Sequence, residues 1–561
     1  MARMTQPSSA TTPPPASTPH GASAGGPGKR QKEHGSVKET IESILVAFIL
    51  AFIFRAFVVE AFVIPTGSMA PTLLGAHMRF TCNDCGWRFD ANYSPEKDST
   101  GEDLYIPPVS SRQTPHTVYC PNCGFRIPRA DALRPNVHYG DRILVLKYLY
   151  LFEDPQRWDV VVFKSPDVRA TTLDEPAGDK PSDYQQNYIK RLIGNPGESV
   201  LILDGDIYVG QKGKDPSAFE VQTKPRHVQE ALWRVIYDND YHPQRLNRDD
   251  AGTTWRQPWT VRGGAGWNID DKANKGRVFR FDNPAGESTL FFDRTANPIP
   301  LRSVGAEPYA FTDWLAYDAE VPPPLNIVRD LKLAFFYHRQ AGDGPLRVTM
   351  TSGDDAFVAT VTPEQATLTH VSKTGETPIG EPFSLAGTRS PIRVELTNVD
   401  YQVTLRINDA AVAQTTPQQY RPNVAALLAR YKTDDRGPAP TLEISAANQT
   451  AALSHIGLWR DIYYLNRAPG QTLVWGVPGR IIDLGPEEYF VLGDNSLISG
   501  DARYWSVPIS LPADRLEVEP GRVPGRFLLG RAFFVYWPAG FKPAPALPGL
   551  APNFGDMRFI R

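Results

Sequence analysis

The stretch FVIPTGSMAPTLLG, Phe62 to Gly75, places Ser68 between a glycine and a methionine, just ahead of Ala70-Pro71. A serine hydroxyl is a poor nucleophile until a neighbouring base takes its proton. None of the ten histidines lies in a recognisable nucleophile motif. A lysine does the same work where desolvation lowers its pKa. One candidate is Lys190 in NYIKRLIGNPGESV, residues 187–200, which reads as a strand entering a Gly-Asn-Pro-Gly turn. Strand alternation puts Tyr188, Lys190 and Leu192 on one face and Ile189, Arg191 and Ile193 on the other. One of the two cations can then turn inward among apolar groups while the other stays in solvent. A third segment, YFVLGDNSLISGDARYWSVP (Tyr489 to Pro508), runs from an apolar strand into small polar residues. That composition suits a loop that organises a site, or an ordinary polar turn. The remaining reactive groups are four cysteines, Cys82, Cys85, Cys120 and Cys123, in two C-x-x-C-G-[WF]-R-[FI] copies with 34 residues between the pairs.

These groups need elements to hold them. The chain has 561 residues, too long for one core, so two to four domains are expected. Its 52 prolines and 44 glycines favour β structure and turns over helical bundles. A net charge of −3 gives no reason to expect nucleic-acid binding. Residues 1–36 are rich in Pro, Ser, Thr, Ala and Gly and read as a disordered, basic tail. Ile44 to Phe54 carries no polar side chain, and the apolar run continues past Arg55 to Val59. A span needs roughly 20 apolar residues, so a transmembrane helix over 37–60 is barely long enough, with Arg55 snorkelling. A cleaved signal peptide is the other reading. With a retained anchor, the basic tail stays cytoplasmic and everything after residue 60 is extracytoplasmic.

Taken in order, RAFVVEAFVIPTGSMAPTL, GDRILVLKY, YIKRLIGNPGE and GDNSLISGDARYWSVP, with LLGRAFFVYWP behind, resemble the boxes of type I signal peptidases (leader peptidases). The resemblance implies a membrane-bound serine endopeptidase that removes signal peptides from secretory precursors with small residues at the cleavage site. It makes Ser68 the nucleophile and Lys190 the general base. Thr66 and the Ser68 backbone N–H would form the oxyanion hole. Ser499 matches the serine that orients the lysine, Asp494 and Asp501 match structural acids, and Arg503 joins their network. Ile64, Pro65, Met69, Leu73 and Ile189 would help to form the shallow substrate pocket. No cofactor is implied for catalysis. Ser496 departs from the family's usual arginine, which puts the salt-bridge pattern there in doubt.

The family needs little beyond these boxes, so two insertions remain. Residues 79–130 resemble a zinc ribbon: four thiolates suit tetrahedral, structural Zn, although an extracytoplasmic site also permits disulfides. Residues 215–470 open with a short helix in QEALWRVIYDND and then read as many short strands. IRVELTN turns Ile392, Val394 and Leu396 inward and Arg393 and Glu395 outward, and Asn408-Asp409 signals a hairpin. This pattern argues for a β-sandwich similar to concanavalin-A-like jelly rolls. Trp255, Trp259 and Trp267 either fill its core or stack on a glycan; a glycan or a protein is the partner such a sandwich could take. The expected fold is mainly β, with residues 61–214 and 471–561 as the peptidase domain. The rival function is an inactive anchored module that binds through the sandwich.

Overall fold

The computed structural model describes residues 37–92, 118–128, 136–165, 187–244, 255–270, 274–301, 305–307, 309–318, 325–385, 390–467, 473–511, 516–538 and 553–561. They fall into two units that meet between Phe54 and Arg55. In the first, Val37–Ile53 is an α-helix of 17 residues with Ile44, Phe48, Leu50 and Phe52 exposed. Phe54–Val58 continues as a π-helical turn. The helical stretch stops short of the expected residue 60. Val59 and Glu60 already belong to a strand, Val59–Val63, because they pair with Leu146 and Val145. Among the described residues, no helix is long and apolar enough to cross a membrane.

The second unit begins with that strand. It forms the edge of an eight-stranded sheet that runs Val59–Val63, Arg142–Leu146, Leu528–Trp537, Val160–Lys164, Asn187–Gly194, Glu488–Leu492 and Val523–Pro524, with Arg558–Phe559 added to Leu528–Trp537. All of its pairings are antiparallel. Strands distant in sequence become neighbours here: residues 528–537 sit between 142–146 and 160–164. A four-stranded sheet built on Glu198–Leu203 and Asp206–Gln211 packs beside it. Their shared core includes Phe163, Leu192, Ile202 and Phe490.

Thirteen strands between Arg234 and Arg460 form a third hydrogen-bonded network. Its spine is the long antiparallel pair Val278–Phe292 and Leu442–Arg460. Of the helix expected in QEALWRVIYDND only the first four residues are α-helical, within Arg226–Leu232, and Arg234–Asp238 is a strand that pairs with Leu442–Arg460. Asn408 and Asp409 have φ of 48° and 69°, the left-handed pair that a tight hairpin turn needs. Trp255, Trp259 and Trp267 are all buried, so they fill the core and do not present a stacking surface. Glu395 does not face solvent: it is 3% exposed, held by Arg393 at 2.7 Å and Arg406 at 3.7 Å.

The cysteine segment lies on a small sheet of His77–Thr81, Arg88–Asn92 and Asn136–His138. Its apolar side chains and those of the thirteen-stranded network bury together in one cluster. Asn122 also locks the two insertions, accepting from the Asp238 N–H at 2.6 Å and donating to the Tyr241 carbonyl at 3.0 Å.

Candidate active site

Ser68 lies in a single 3-10 turn, Gly67–Met69, directly after the edge strand. The leading N–H groups of such a turn have no acceptor within it, so they face outward as donors. Both flanks of the segment are tied to one loop: the Ile64 N–H donates to the Asp141 carbonyl at 2.9 Å, and the Asp141 N–H donates to the Leu74 carbonyl at 2.8 Å. Gly75 permits this closure, since a Cβ there would stand 2.4 Å from the Thr66 backbone. Ile64, Met69 and Leu73 anchor the segment in a core with Ile143 and Val162, and Ile189 packs against that core. Pro65 is exposed.

Lys190 reaches Ser68 from the strand Asn187–Gly194, with Nζ 2.8 Å from Oγ. Ser68 is 8% and Lys190 5% exposed. Burial pulls the Lys190 ammonium down to about 8, and Arg503 pulls the same way, against Asp501 and Asp494. The Thr66 hydroxyl stands 3.5 Å from the same Oγ.

Arg191 is not in solvent. It is fully buried, and its Nε and Nη2 each meet a carboxylate oxygen of Asp494 at 2.7 Å. Alternation does separate the two side chains. The opposite face is simply another interior, and a planar fork-to-fork pair makes burial there tolerable.

The loop Gly493–Arg503 carries the other residues singled out. Asp501 and Arg503 form a second buried fork at 2.8 Å, and Asp501 also accepts from the Gly493 N–H at 3.0 Å. Ser496 fills the place of the absent arginine: its hydroxyl accepts from Arg503 at 2.8 Å and from the Leu465 N–H at 2.8 Å. Ser499 is buried nearby, but its hydroxyl has no hydrogen-bond partner among the described residues. Asn495 was not singled out in the sequence, although it stands inside the Gly-Asp-Asn-Ser run. Its N–H donates to the Ser68 carbonyl at 3.1 Å. Its side-chain amide donates to Asp318 at 2.8 Å.

The four cysteines converge although they come from two loops. All four Sγ atoms lie within 4.8 Å of one another, with Cys82–Cys123 at 3.8 Å and Cys85–Cys120 at 3.7 Å. A tetrahedral zinc with Zn–S bonds of about 2.3 Å places its sulfurs about 3.8 Å apart, whereas a disulfide needs about 2.0 Å. The cysteines are not joined by disulfides. Each Cys-x-x-Cys-Gly folds alike, with Gly86 and Gly124 N–H groups donating to the Cys82 and Cys120 carbonyls at 2.9 and 2.8 Å. The residues present fit a divalent metal held by four thiolates.

A family model for signal peptidase, peptidase S26, matches residues 37–85 and 124–275, skipping most of the cysteine segment. Over these residues the chain resembles the signal peptidase family. It is 29% identical over 116 residues to a probable signal peptidase I-2 of Synechocystis sp., covering 20% of this chain and 48% of that protein. It is 25% identical over 181 residues to signal peptidase I of Rickettsia typhi, covering 32% and 46%. A chloroplastic thylakoidal processing peptidase 1 of Arabidopsis thaliana is 28% identical over 118 residues, covering 20% and 32%. The chain thus spans about half the length, or less, of these curated relatives. Among solved structures, a carbohydrate-binding module of Bacillus subtilis covers 36% of this chain and 95% of its own at 8% identity and TM-score 0.22. A galectin-like Bacillus subtilis protein of unknown function covers 41% and 100% at 11% identity and TM-score 0.24. The sandwich reading therefore stands on the strands themselves.

Proposed function

We propose that this protein is a membrane-anchored serine endopeptidase that removes N-terminal signal peptides from secretory precursors. The observation that carries the reading is the Lys190 amine, buried and 2.8 Å from the Ser68 hydroxyl. In its neutral form Lys190 accepts the Ser68 proton as Oγ attacks the carbonyl carbon of the scissile bond. The Ser68 N–H and the Thr66 hydroxyl donate to the oxyanion. Protonated Lys190 then gives its proton to the leaving amine, which frees the mature protein. Lys190 next deprotonates a water that releases the signal peptide from Ser68. Asp494 and Asp501, each neutralised by its own arginine, keep the walls of the site charged in balanced pairs. Ser499, the serine that the family resemblance assigns to orienting the lysine, is buried in this loop.

The sheet register supports a place for the substrate. Glu488–Leu492 pairs with the lysine strand at Arg191, Leu192 and Gly194, and its register stops one residue short of Lys190. An extended substrate adds there as a strand. Of the residues expected to form the shallow apolar pocket, exposed Pro65 and half-buried Ile189 can meet its small side chains, while Ile64, Met69 and Leu73 support them from the core. Anchoring is supported by the exposed apolar helix and by exposed Phe57, Leu151 and Phe152, which share one end of the sheet through the Lys147 N–H to Val58 carbonyl bond. A structural zinc on Cys82, Cys85, Cys120 and Cys123 takes no part in the chemistry.

The test is cleavage of a precursor bearing an Ala-x-Ala site by the full chain in detergent. Wild type should cut it, and Ser68→Ala and Lys190→Ala should each lose at least about a thousandfold in kcat. Activity that survives in Ser68→Ala removes the nucleophile. A folded wild type that cuts nothing favours the inactive binding module.

A further inference from the structure

The sandwich insertion sends one segment, Tyr309–Asp318, to the nucleophile. Arg460, at the end of its longest strand, donates to the Trp314 carbonyl at 2.7 Å and fixes the segment's base. The tip, Ala316–Asp318, is a buried 3-10 turn. From it Asp318 accepts the Asn495 side-chain amide at 2.8 Å, and both residues are almost fully buried. The same Asn495 gives its backbone N–H to the Ser68 carbonyl. Tyr317 also lies against the nucleophile turn. A Cβ on Gly67 would stand 2.6 Å from its ring, which clusters with Ala70 and Leu74 and packs against Ile498.

We infer that Asp318 is a positioning residue of the peptidase, supplied by the insertion, which holds Asn495 so that the Ser68 backbone is fixed against Lys190. The inference rests on the peptidase reading for its catalytic consequence, but the contact itself does not. Asn495 sits where two chain segments must be aligned: its backbone faces Ser68 and its side chain faces the insertion. Without Asp318 the amide has no fixed acceptor on that side, and Asn495 can rotate away from the serine. The hydroxyl-to-amine distance then spreads, which slows the proton transfer without altering the edge where substrate docks. The sandwich is thus part of the catalytic scaffold and not an appended module.

Asp318→Ala and Asp318→Asn in the full chain in detergent test this. Asp318→Ala should lower kcat about tenfold with KM within about twofold, and Asp318→Asn, which keeps a carbonyl acceptor for the amide, should recover most of it. Hydrogen exchange is read alongside. In Asp318→Ala, exchange should quicken in residues 62–75 and 489–501 and stay unchanged in the sandwich strand 442–460. Wild-type kcat and wild-type exchange in Asp318→Ala overturn the inference. So does exchange that quickens equally across the sandwich, which marks a fold defect. If wild type cuts nothing, the peptidase reading fails, and the exchange pattern alone still decides whether Asp318 holds the serine loop.

Discussion

At the scale of single residues, the site is governed by how charge is kept in the interior. Lys190 is buried beside a hydroxyl and loses proton affinity, down to about 8. On the proposal that its neutral form is the base, kcat/KM should rise about tenfold per pH unit below 8 and level off above it. A profile already flat from pH 6 would exclude Lys190 as the base. The same shift has a consequence for stability. Below about pH 8 the folded protein carries an ammonium that burial disfavours, at a cost of roughly 3 kcal/mol relative to the unfolded chain. Between 8 and the ordinary lysine value the unfolded chain binds more protons, so stability gains with pH across that window. Lys190→Met should therefore be inactive yet unfold no earlier than wild type at pH 7, as read by a thermal melt. Arg191 behaves in the opposite way. Its charge is matched by Asp494, so Asp494→Asn leaves a buried guanidinium unpaired and should destabilise by about 3–5 kcal/mol in a denaturant titration.

At the scale of elements, what was legible in the sequence was local. The serine turn, the lysine strand and the Gly-Asp-Asn-Ser loop are contiguous strings, and the two cysteine pairs repeat at close spacing. Strand alternation exposed the sandwich in the same way, because a half-buried strand writes its two faces into consecutive residues. The long-range partners were not legible. One of Lys190 and Arg191 was expected in solvent, yet both are buried, because the counter-ion of Arg191 lies 303 positions away. Glu395 was read as outward because alternation reports faces, not the arginines that neutralise a buried one. Asp318 carried no signal, since its meaning depends on Asn495, 177 positions on. The cysteine segment combines both kinds of information. Its ligands are evident in the sequence, but its interlock with the sandwich through Asn122 appears only in the fold. Purified protein should hold about one equivalent of zinc. Its removal by chelation, or Cys82→Ser, should lower the thermal midpoint of the whole second unit and not merely of one loop. A midpoint unchanged on chelation would make the metal dispensable to the fold.

At the scale of the whole molecule, the sequence order places an apolar helix immediately before the strand that leads to Ser68. Val37–Ile53 at 1.5 Å per residue is about 26 Å long, short of a typical hydrocarbon core of about 30 Å. The π-helical turn to Val58 supplies further apolar length, after which the chain is committed to sheet pairing. In the sequence only residues 59–67 then separate that stretch from Ser68. Under the proposed function, an anchored enzyme and a precursor whose signal peptide lies in a bilayer share one membrane. Deleting residues 1–58 should therefore separate two abilities. The shortened chain should cut a short soluble peptide with kcat within a few-fold of the full chain, because the dyad and its supporting loops remain. It should process a vesicle-embedded precursor at least about a hundredfold more slowly, since the effective concentration given by shared membrane residence is gone. Equal loss on both substrates would instead make the helix a structural part of the site, and equal retention would deny it any part in substrate capture.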